Sequence, residues 1–119
     1  MIGLWALLGP ASFFARFPGL GRRWVAALPP FNEHLTTDVG GLYLALAIVL
    51  VGAALSLQRA LVIVVLLALL VQAASHLVWH VGHLEPYDTA DRVGNLVGLG
   101  LSVALPVALL IVAARPPEL

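Results

Sequence analysis

The three longest stretches of this chain free of Asp, Glu, Lys and Arg are Val39–Leu57, Ala60–Val81 and Val93–Ala114. A helix needs about 20 predominantly apolar residues to cross a bilayer core of about 30 Å. Each stretch meets that length alone or with its flanking turns. Only Gln58 and Arg59 separate the first two, and a short polar turn around Leu84–Asp88 precedes the third. Connections this short force neighbouring helices to run antiparallel. The composition agrees: 61% of the residues are hydrophobic and 10% charged, against roughly 25% charged in a soluble domain. The sequence therefore predicts an integral membrane protein.

The same composition excludes several classes. Formal net charge is zero, so no electrostatic footprint for nucleic acid exists. There is no cysteine, which removes disulfides, thiolate catalysis and cysteine metal ligands. All six basic residues are arginine, so no lysine can form a Schiff base. No activated serine or cysteine arrangement supports an enzyme.

The N-terminal third is less regular. Met1–Ala15 is apolar, is broken by Gly9-Pro10, and lacks the basic region and small-residue cleavage site of a signal peptide. It reads as a short first helix. Phe13, Phe14, Phe17 and Trp24, among Arg16, Arg22 and Arg23, read as a segment at the headgroup level, which both residue types favour. Pro29-Pro30-Phe31-Asn32 marks a helix start, with Asn32 as N-cap and Glu33 in the first turn. Asp88 or Thr89 should cap the last helix, with Asp91 in its first turn. Pro106 should kink that helix, and Arg115-Pro116-Pro117 should end it. Residues 1–119 read as one transmembrane domain without internal repeats.

The two hairpins bring most of the ionisable residues to one membrane face. There the start of the first long helix offers Glu33, His34 and Asp38. The end of the second offers His76, His80, His83 and Glu85. The third begins with Asp88, Asp91, Arg92 and Asn95. At about 100° per residue, His80 falls about 40° from His76 and His83 about 20° to the other side, so the three form one stripe. Ionisable groups inside a span are functional candidates by default. Imidazole with carboxylate suits a divalent transition metal such as Zn, Fe or Cu, and an i, i+4 histidine pair is the spacing by which one helix supplies two ligands. The candidate metal ligands are His34, His76, His80, His83, Glu33 and Asp38. Haem between His34 and His76 or His80 ranks lower, because three of the four histidines share one helix.

The phrases GLWALLGPASFFARFPG, FNEHLTTDVGGLYLALA and TADRVGNLVGLGLSVALP resemble a group of small bacterial multi-pass membrane proteins near the DoxX-like four-helix proteins. The resemblance implies a four-helix bundle in the bacterial inner membrane and carries no catalytic motif. It also implies a longer first helix than Met1–Leu8 provides. The expected fold is an all-α membrane bundle of three full helices plus a short N-terminal one. The leading expected function is metal handling or redox at the histidine/carboxylate face. The alternative is a structural or assembly subunit of a larger membrane complex, or a homo-oligomer, joined through Gly94, Gly98 and Ser102, whose spacing of four lets helices approach closely. The arginine balance, Arg16, Arg22, Arg23 and Arg92 against Arg59 and Arg115, orients the polar face toward the cytoplasm.

Overall fold

The computed structural model describes residues 1–115, and Pro116, Pro117 and Glu118 lie outside the described residues. The chain is all-α and bundle-like. Its elements are α1 (Ile2–Leu8), α2 (Pro10–Arg16), strands β1 (Pro18–Gly19) and β2 (Arg22–Arg23), then α3 (Glu33–Ser56), α4 (Arg59–Val81) and α5 (Thr89–Ala114). The last three are long and apolar enough to cross a membrane.

The local signals explain the helix boundaries. Asn32 Oδ1 accepts the Leu35 amide at 2.9 Å and opens α3, satisfying one of the amides that a helix start leaves without an internal partner. Asp88 Oδ1 accepts the Asp91 amide at 2.8 Å and does the same for α5. Between α3 and α4, Leu57 takes a left-handed conformation at φ 51°, so the chain reverses within two residues.

The N-terminal boundary differs from the expectation. The N-terminal helix is two short ones, because Pro10 starts α2 at its first position and Gly9 lies outside helical geometry. α4 ends at Val81, before Glu85-Pro86. His83 lies beyond the helix, its Nδ1 2.7 Å from the Trp79 carbonyl. An Nδ1–H there adds a second donor to a carbonyl that already accepts the Gly82 amide at 3.2 Å. Its ring stacks on Trp79, with centroids 3.9 Å apart and planes 7° apart.

The chain divides into two compact units. The first comprises Met1–Ile48 and Glu85–Asp91. Its tightest contact is a crossing of α1 and the first half of α3. A Cβ added at Gly3 would lie 2.9 Å from the Gly40 carbonyl oxygen, and one at Gly40 would collide with the backbone of Ala6 and Leu7. Ala6 between them is fully buried. This is the close approach that small residues permit in membrane helices, at positions the sequence reading did not single out. An aromatic cluster fills the same unit: Phe13 and Phe17 are 4.9 Å apart and Trp5 meets Phe13 edge-on at 5.7 Å. The rings expected at the headgroup level thus pack mainly on one another.

The second unit comprises Val49–Leu84 and the chain from Arg92 onward. Ala53, Val65, Leu66, Ala73, His80, Asn95 and Pro106 are its buried residues. Arg59 at the start of α4 donates to the Ala113 and Ala114 carbonyls at 2.9 and 2.8 Å. It thereby closes the C-terminal end of α5, where a cation also suits the helix dipole. Gly98, by contrast, has no atom within 4 Å of an added Cβ, and Ser102 is exposed. Among the described residues Gly98 and Ser102 are thus open, while Gly94 on the same stripe is half-buried.

Candidate functional site

The densest polar arrangement in the first unit gathers around Asp91. Residues Pro18–Arg23 form a β-hairpin in which Pro18 pairs with Arg23 and Gly19 with Arg22. Leu20 and Gly21 are its two-residue turn, at φ 55° and 76°. Positive φ at both positions is the type I′ geometry that matches strand twist. The hairpin delivers Arg22 and Trp24 to the start of α5. Trp24 Nε1 donates to Asp91 Oδ1 at 2.6 Å, and Arg22 Nη1 donates to the same oxygen at 3.0 Å. Arg22 also lies 3.5 Å from Asp88 Oδ2. The Tyr87 hydroxyl donates to the Trp24 carbonyl at 2.6 Å. Burial first, and then the Asp91 charge, push the Tyr87 phenol up to about 12.

The sequence reading placed Arg22 and Trp24 at the interface and Asp91 in a helix start but did not join them, and it missed Tyr87. The available signal was charge: a basic run and an acidic pair on one predicted face.

The proposed metal ligands are distributed as follows. In the first unit, His34 Nε2 and Asp38 Oδ2 form an exposed i, i+4 pair at 3.3 Å, and Glu33 opens α3. In the second unit, His76 and His80 share a face of α4, their ring centroids 4.7 Å apart and nearly edge-on. His80 is buried and His76 exposed. His83 is engaged by Trp79 at the helix end. The expected one-stripe spacing therefore brings His76 and His80 together. Among the described residues, no group of three or more His, Asp or Glu side chains is placed to hold a metal ion. A structural zinc site takes four ligands and a catalytic one three from the protein, so the pair alone does not make a centre.

Asn95, buried six residues into α5, has no hydrogen-bond partner for its Nδ2 among the described residues. No known protein family, curated protein or solved structure matches this chain. The site is therefore read from its own geometry.

Proposed function

We propose that this chain is a structural or assembly subunit of a larger membrane complex, with the polar face holding the subunit together. One observation carries this reading. The carboxylate best placed to serve chemistry, Asp91, is taken up by Trp24 and Arg22 at 2.6 and 3.0 Å. Charge-assisted bonds of this kind are among the stronger stabilising contacts. The open stripe at Gly98 and Ser102 supports a role for α5 in meeting another helix, since small residues allow backbone approach. The bacterial inner membrane is the proposed location and a DoxX-like relationship the proposed ancestry.

Native mass spectrometry of untagged protein in mild detergent, with elemental analysis of the same sample, tests the proposal. The expected particle is heavier than the 12.5 kDa chain, and its metal content is far below one ion per chain. Gly98→Leu should release the lone chain. A solitary chain holding one divalent ion overturns the reading.

A second reading is metal handling by Zn, Fe or Cu, favoured by the His76–His80 pair. His34, His83, Glu33 and Asp38 are the further candidate ligands of this reading. Bound histidines must be neutral, so such a metal should be lost as pH falls below about 6.5. His80→Ala should remove it.

A further inference from the structure

We propose that the Pro18–Arg23 hairpin with the end of α2 is a binding site for the phosphate headgroup of an anionic phospholipid. Arg16, Arg22 and Arg23, with Ala15, Gly19 and Gly21, line an open cleft of about 320 Å³ at the base of the turn. The Arg22 charge is answered by Asp88 and Asp91. The guanidinium groups of Arg16 and Arg23 have no ion-pair or hydrogen-bond partner among the described residues. Two cations without an ion-pair partner among the described residues thus line one cleft. A guanidinium presents a planar fork of donors that matches phosphate oxygens.

The turn residue identifies the source of that phosphate. Leu20 sits at φ 55° and is fully exposed. The first position of a type I′ turn favours Asn, Asp or Gly, and a left-handed leucine is disfavoured both sterically and by its contact with water. A leucine there is understandable if the tip enters acyl chains while the arginines below stay at the headgroups. The placement of the hairpin agrees with this. Phe17 just before it packs on Trp24 just after it, with ring centroids 6.3 Å apart, and Arg22 ties it to the first turn of α5, which is one of the three membrane-length helices. A free phosphate would use the arginines but not the leucine.

The test uses the full chain purified in mild detergent. Binding of phosphatidylglycerol, phosphatidylcholine and inorganic phosphate is followed by native mass spectrometry and by thermal melting at low and high salt. Phosphatidylglycerol should bind more tightly than phosphatidylcholine, by roughly fivefold per arginine at low salt, with the difference shrinking as salt screens it. The double variant Arg16→Gln/Arg23→Gln should melt like wild type without lipid and lose the preference. Leu20→Asn relieves the turn, so it should fold at least as well, yet bind phosphatidylglycerol several-fold more weakly. Equal binding of the two lipids by wild type, or a preference that survives the double arginine variant, overturns the site. Inorganic phosphate binding as tightly as phosphatidylglycerol, with Leu20→Asn without effect, overturns the lipid as its ligand.

Discussion

Asp91 receives two donors on one oxygen, and that makes its substitution informative. Asp91→Ala removes the acceptor for Trp24 Nε1 and the partner of Arg22 together. The side chain is 17% exposed, so the loss should be about 1–3 kcal/mol, read as a lower melting temperature in detergent. Trp24→Phe keeps a ring and removes only the donor, so it should cost about 1 kcal/mol. Tyr87 adds a pH dependence. Burial, and then the Asp91 charge, push its phenol from the ordinary 10.0 up to about 12 in the folded chain. A folded pKa above the unfolded one gives stability that is complete below pH 10 and is lost as pH rises toward 12. Melting temperature should therefore fall across that window, and Tyr87→Phe should remove this component. Asn95 behaves oppositely: its Nδ2 is buried without a partner among the described residues, so Asn95→Leu should be neutral or stabilising. A clear loss of stability would mean the amide is held by something the chain alone does not supply. Such side-chain ties were hard to read beforehand. Asn32 and Asp88 act on amides three residues away, so the local sequence suffices to find them. Trp24 and Asp91 are 67 residues apart, and nothing local joins them.

At the scale of elements, the two glycine positions make opposite predictions. Gly40→Ala places a methyl against the α1 backbone, which cannot step aside as a flexible side chain could. It should destabilise by about 1–3 kcal/mol, although alanine is the better helix former by about 1 kcal/mol. Gly98→Ala meets nothing within 4 Å, so the isolated chain should melt at the same temperature or slightly higher. The difference in melting temperature between these variants checks the α1–α3 crossing directly. Long apolar runs made α3, α4 and α5 legible, since their composition and length admit one structure in a bilayer. Which glycine meets which was not legible, because hydropathy carries no information about how each helix is rotated. The same limit applies to the metal set: spacing of four places His76 by His80 on one helix, but a third ligand depends on the rotation of another. The hairpin escaped notice for a different reason. Leu20-Gly21 lacks the Asn-Gly or Asp-Gly signature of its turn type, and strands of two residues are too short to show alternation.

For the whole molecule, the sequence determines the membrane class and leaves the orientation to the arginines. The hairpin carries Arg22 and Arg23 and follows Arg16, so the positive-inside rule predicts a cytoplasmic position for it. Gln58, in the turn between α3 and α4, should then face outward. An impermeant maleimide applied to intact cells should label Gln58→Cys and spare Leu20→Cys. The reverse pattern would invert the topology and place the cationic hairpin at the outer leaflet.

The first unit is made from both halves of the chain, Met1–Ile48 and Glu85–Asp91, which bears on how the protein is made. A ribosome delivers the hairpin long before it delivers Asp91, and nascent segments generally fold as they emerge. Arg22 and Trp24 must therefore wait, without their carboxylate, until two long helices have been inserted and the third has begun. A nascent chain arrested after α4 should leave the Pro18–Arg23 hairpin open to protease, and one extended beyond Asp91 should protect it. The aspartate is thus the point in synthesis at which Arg22 and Trp24 can first be tied down.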